Sequence, residues 1–148
     1  MVSDNDLVKL YSGRILALAA DIPYLGRLER PTATARKRAP LCGSTVTVDI
    51  LLSDGRIAGF AQDVKACALG QAAASVLGAN VIGLTRVEVE KARGQLRAML
   101  SSGGPVPDAP FAELEVLLPA RDFTNRHASI LLAFDATVDA MAEAEQAA

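Results

Sequence analysis

The chain has 148 residues, a mass of 15.5 kDa and a formal net charge of −2. Hydrophobic residues make up 51% and charged residues 22%, which excludes intrinsic disorder and leaves material for a packed core. Four Phe, two Tyr and no Trp, on a nearly neutral chain, exclude a dedicated nucleic-acid binder.

The pattern predicts a helix over residues 3–20, with Ser3 as N-cap, Asp6 three residues on, and Leu7, Leu10, Tyr11, Ile15 and Leu18 as its apolar stripe. Residues 21–41 carry Pro23, Pro31 and Pro40 and read as an extended, partly mobile loop. Thr45 to Leu52 alternates, with Val46, Val48, Ile50 and Leu52 on one face and Thr45, Thr47 and Asp49 on the other. Asp54-Gly55 signals a two-residue turn, so residues 56–64 return as a second strand. A third strand before or after this pair is left open by the periodicity.

Residues 68–78 are rich in Ala and predict a helix packed close against the sheet. Thr85 and Glu88 form a capping box that opens a helix to about Leu100, with Val89, Ala92, Leu96 and Met99 inward. After a Gly/Pro loop over 101–110, a short helix is predicted from Phe111 to Leu118, stopping at Pro119. The last helix starts near Asn125 and sets His127, Leu131, Phe134, Val138 and Met141 on one face. The fold class expected is α+β: a small, mostly antiparallel sheet of about three strands with helices packed around it. Residues 1–148 read as one domain, without internal repeats or composition breaks.

No apolar run nears the ~18 residues of a membrane span. The opening Met-Val-Ser-Asp-Asn-Asp is too polar for a signal peptide, and two cysteines do not make a secreted disulfide scaffold. The expectation is a soluble cytoplasmic protein. Charge is uneven along it. Arg27, Arg30, Arg36, Lys37 and Arg38 face one acid, Glu29, in a segment that reads either as a solvated loop or as a dock for an acidic partner. From Asp135 on, the chain carries Asp139, Glu143 and Glu145 and no base, as in a helix end fraying into solvent.

The chemistry-bearing candidates are Cys42, Cys67 and His127, each at the end of an element. Gly43 beside Cys42 removes a side chain near the sulfur. Cys67 opens the Ala-rich helix, where backbone N–H groups favour a thiolate. His127 lies in the first turn of the last helix. If these ends meet at one sheet edge, two thiolates and an imidazole suit zinc or clustered iron. Otherwise the cysteines are small buried hydrophobes and the histidine a capping residue.

The flanks narrow this. Pro40-Leu41-Cys42-Gly43 before an alternating strand, Lys65-Ala66-Cys67-Ala68-Leu69-Gly70-Gln71-Ala72-Ala73-Ala74-Ser75, and Leu117-Leu118-Pro119 through Arg126-His127-Ala128-Ser129-Ile130-Leu131-Leu132-Ala133 stand in order. Together they resemble the three motifs of the NifU-like/IscU iron–sulfur cluster assembly scaffolds, across the chain to about Ala140. The resemblance implies a non-enzymatic scaffold that binds iron or a transient [2Fe-2S] cluster, or zinc in its place, at Cys42, Cys67 and His127. Its implied partners are a cysteine desulfurase, an iron donor and cluster-acceptor proteins, with neither nucleic acid nor membrane.

Two positions depart from the pattern. Ser44 stands where the first motif has an aspartate, and Ala128 where the third has a cysteine. A fourth ligand would then come from water, Asp63, Asp122 or another chain. Lys65 and Arg126 flank the motifs and would meet a persulfide or an acidic partner group, or simply water. Two other readings stay open: a degenerate paralogue that binds the desulfurase as an adaptor or regulator without a cluster, and a thiol relay pairing Cys42 with Cys67. That pair requires Cα atoms within about 7 Å.

Overall fold

A computed structural model describes residues 11–41 and 43–147. The three strands predicted as the sheet's approximate size are there, in the order β1-β2-β3 and antiparallel throughout. They are β1 (Ala33–Arg38), β2 (Thr45–Ser53) and β3 (Arg56–Lys65). The hairpin between β2 and β3 is as expected. Asp54 and Gly55 both take positive φ, 53° and 75°, and Ser53 pairs with Arg56 across them. That backbone twist suits a two-residue hairpin.

Strand β1 corrects the reading of residues 21–41 as a loop. Its alternation is carried by small side chains: Ala33 and Ala39 are buried, while Arg36 and Arg38 are exposed. Alanine gives little hydrophobic signal, so the flanking prolines dominate the pattern. The remainder of the segment is pinned rather than loose. Arg27, Leu28 and Thr34 all donate to Asp49, which has no exposure although it lies on the strand face opposite Val48 and Ile50.

The helices cover the other face. They are α1 (Gly13–Ala20), α2 (Ala68–Asn80), α3 (Arg86–Ser101) and α4 (His127–Ala147). Within the predicted 3–20 helix, residues 3–10, including Ser3, Asp6, Leu7 and Leu10, lie outside the described residues. The described helix is capped by Ser12, whose hydroxyl accepts from Ile15 N–H at 3.3 Å. Thr85 and Glu88 form the expected capping box for α3, and Val89, Ala92, Leu96 and Met99 face inward.

The predicted helix from Phe111 to Leu118 is instead 3₁₀, and runs from Ala112 to Asp122 through Pro119. Each proline in a helix lacks one N–H, and the tighter winding here accommodates Pro119 where an α-helix would clash. Helix α4 lies across β1 and β2, with α2 and α3 beside it. Its acidic end is not frayed: Lys37 pairs with Asp139 at 3.0 Å and Arg86 with Glu145 at 2.6 Å. At Gly70 the two central helices approach so closely that a Cβ would lie 2.8 Å from Ser129 Oγ. Among the described residues, no helix is long and apolar enough to cross a membrane.

Candidate functional site

The N-terminus of α2, the N-terminus of α4 and the start of β2 meet at one end of the sheet. Between them lies an open cleft of about 540 Å³. Leu41, Gly43 and Ser44 line one side, Lys65, Ala66 and Cys67 the second, and Asn125 and Arg126 the third.

Cys67 is the N-cap residue of α2, half-buried in this cleft. Its backbone is extended, with φ −67° and ψ 169°, so the helix amides beyond it face the sulfur. No first-turn amide makes a full capping hydrogen bond to Sγ, and their dipoles act through orientation. Burial pushes the thiol up, but the Gly70 amide, the Ser129 hydroxyl, the Leu69 amide and the Arg126 side chain outweigh it and hold the thiol below its usual value. Such a sulfur is a better nucleophile and metal ligand at neutral pH than an ordinary thiol.

Behind Cys67 stands a pair of hydroxyls. Ser129 Oγ lies 3.6 Å from Cys67 Sγ and 3.0 Å from Ser44 Oγ. Both serines are buried. The position that departs from the scaffold motif, Ser44, is therefore a neutral group already engaged with α4. Ser129 was not singled out by the sequence. Its signal was its place two residues after His127 in the first turn of the last helix.

His127 is half-buried at the start of α4 but is not among the cleft's lining residues. Its Nε2 lies 2.9 Å from the carbonyl oxygen of Ala120 and 3.1 Å from that of Arg121. Carbonyls only accept, so Nε2 carries a proton, and in the neutral ring the lone pair is on Nδ1. Cys42 lies outside the described residues. Neither Asp63 nor Asp122 lines the cleft, and Ala128 is exposed. Among the described residues, no three of His, Cys, Asp and Glu converge as a metal-holding group.

No family model matches the chain, and no curated protein does. Solved structures do. A nitrogen-fixing NifU-like protein (N-terminal) from Brucella abortus is 44% identical, with a TM-score of 0.93 over 97% of this chain and 99% of that one. A candidate iron–sulfur cluster assembly scaffold protein for the SUF system from thermophilic Fervidobacterium islandicum AW-1 is 20% identical, with a TM-score of 0.81 over 89% of this chain and 96% of that one. A hypothetical protein at 20% identity has a TM-score of 0.75, covering 87% and 94%. The last two share the fold. At 44% identity over nearly its whole length, the chain belongs to the NifU-like (N-terminal) family.

Proposed function

We propose that this chain is an iron–sulfur cluster assembly scaffold, with iron and sulfide as cargo at the cleft beside Cys67. The observation that carries this reading is the half-buried Cys67 sulfur, held below its usual pKa at the head of α2 and open to the cleft. Membership of the NifU-like family supports it. In this reading a cysteine desulfurase supplies the sulfur. The Cys67 thiolate attacks the outer sulfur of the enzyme's persulfide, one S–S bond forms as another breaks, and the enzyme's cysteine leaves as a thiolate. Two electrons from a reducing partner, a small thiol or an electron-transfer protein, then cleave the Cys67 persulfide, releasing the outer sulfur as sulfide and returning Cys67 as a thiolate. Iron arrives from a donor protein, and the finished cluster passes to acceptor proteins.

Cys42, Cys67 and the Nδ1 lone pair of His127 would hold iron, a [2Fe-2S] cluster or zinc. A tetrahedral zinc or a [2Fe-2S] cluster takes four ligands. Ser44 adds only a neutral hydroxyl bonded to Ser129, so the cargo is held loosely and released readily. The scaffold performs no turnover of its own and acts in the cytoplasm.

One observation favours a second reading. Ser44 and Ser129 satisfy each other where the family motif has a carboxylate, which suits a paralogue that binds a desulfurase without carrying a cluster. Anaerobic incubation with ferrous iron, cysteine and a cysteine desulfurase separates the two. Cluster absorption in the visible spectrum, lost in Cys67→Ala, is expected for the scaffold. Desulfurase binding that ignores both cysteines, with no absorption, would replace it by the adaptor.

A further inference from the structure

The sheet has two outer edges, and they differ. Along β3 the edge is covered: Gly26 N–H donates to Gln62 O at 2.9 Å, Gln62 N–H donates to Tyr24 O at 2.9 Å, and Thr85 bridges Arg56. Along β1 no described segment does the same. Ala39 N–H donates to Ser44 O at 2.9 Å, and the register continues through Arg38↔Thr45 and Lys37↔Val46. The alternation of an antiparallel ladder then turns the backbone of Lys37 toward β2 and the N–H and C=O of Arg36 and Arg38 outward. Both arginine side chains are exposed, and neither makes an ion pair among the described residues. Lys37, on the opposite face, is tied to Asp139.

We propose that the β1 edge docks an extended acidic segment of a partner protein as an added antiparallel strand, with an acidic-x-acidic pattern set against Arg36 and Arg38. Residues directly opposite on paired strands stand about 5 Å apart at Cβ, within ion-pair reach of arginine. A second copy of this chain is a poor occupant, because edge-to-edge pairing would set arginines against arginines. Phosphate groups are poor occupants too. They offer no donor to the outward carbonyls of Arg36 and Arg38, whereas a peptide backbone offers donors and acceptors at the spacing the edge presents. The row Arg38–Thr45–Lys65 ends two residues before Cys67, so the docked segment leads to the cleft end of the sheet.

The test uses the full chain and a fluorescein-labelled peptide with Glu-Val-Glu at its centre, followed by fluorescence anisotropy at low salt. Saturable binding is expected, weakened about tenfold or more in the variant Arg36→Glu with Arg38→Glu. A Lys-Val-Lys peptide should bind that variant in turn. N-methylation of the two Glu amides, which removes the backbone donors but keeps the charge, should abolish binding to the parent chain. Binding that survives either the charge reversal or the N-methylation overturns the proposal. So does an N-methylated peptide competing as well as the parent against heparin or phosphatidylglycerol vesicles, which would mark a general anion patch. Far-ultraviolet circular dichroism of the variant confirms that the comparison is between folded proteins.

Discussion

Arg27 Nε donates to Asp49 Oδ2 over 2.6 Å, with the guanidinium 56% exposed and the carboxylate fully buried. The pair is half in water and half in the protein. Asp49 also accepts from Leu28 N–H at 3.0 Å and from the Thr34 hydroxyl, so a single carboxylate fastens residues 27–34 to the middle of β2. Burial pushes this carboxyl up, but the Arg27 guanidinium, Thr34 and the Leu28 amide outweigh it and hold it below the usual carboxylate range.

Asp49→Ala should therefore cost about 2–4 kcal/mol, because it leaves several donors without their acceptor. The sign of the pH dependence follows from the depressed value. The stabilisation is complete above the unfolded-state pKa and is lost as pH falls through the folded-state pKa. Urea unfolding between neutral and acid pH should show that loss in the parent chain and a flatter profile in Asp49→Asn. Equal slopes would count against it.

The Cys67 thiol, also depressed, obeys the same sign. Its contribution appears as pH rises through the folded value and is complete above the unfolded one. Alkylation by iodoacetamide, resolved by peptide mapping to Cys67, should reach half-maximal rate at lower pH than an unstructured cysteine. Ser129→Ala and Arg126→Ala should each move that midpoint upward. An unmoved midpoint in both would remove these groups from the account.

Gly70→Ala tests the close approach of α2 and α4. The new methyl would meet Ser129 Oγ at 2.8 Å, Ala66 Cβ at 2.9 Å and Ser129 O at 3.0 Å. Two of these contacts belong to α4 and one is backbone, so the cost should be about 1–3 kcal/mol. The thermal midpoint should fall. The Cys67 alkylation midpoint should shift with it, because Ser129 is displaced.

Ser44→Asp combined with Ala128→Cys installs the two groups by which this chain departs from the scaffold motifs. The double variant should retain iron or a cluster through a desalting column where the parent chain loses it, as metal analysis would show. Ser44→Asp alone should be less stable than the parent, because position 44 is buried against Ser129.

The hairpin, α3 with its capping box, and the inward residues of α4 were legible because each writes a strong periodic or turn signal. Strand β1 was not. Its inward positions are two alanines and the stem of a lysine, and its outward positions are Thr34, Arg36 and Arg38, so hydropathy alternates only weakly along Ala33–Arg38. The burial of Asp49 was not legible for a related reason. Alternation assigns the residue to the outer face correctly, but no local pattern says that a loop from Arg27 to Thr32 will cover that face. At the site, the sequence identified Cys67 and the head of α4. It did not show the Ser44–Ser129 contact, which joins positions 85 residues apart. Nor did it show that His127 Nε2 is already committed to two carbonyls.

The Ser129 hydroxyl stands between two groups that each give or take a proton. When Cys67 is a thiol, the row can run either way: S–H to Ser129 and Ser129 to Ser44, or the reverse. When Cys67 is a thiolate it can only accept, and one direction remains: Ser129 points at the sulfur, and Ser44 at Ser129. Only hydroxyl rotors turn, and no heavy atom needs to shift. An ionised aspartate at position 44 has no proton to give and would lock the row in the first direction. Serine there lets the sulfur change its charge against an unchanged wall.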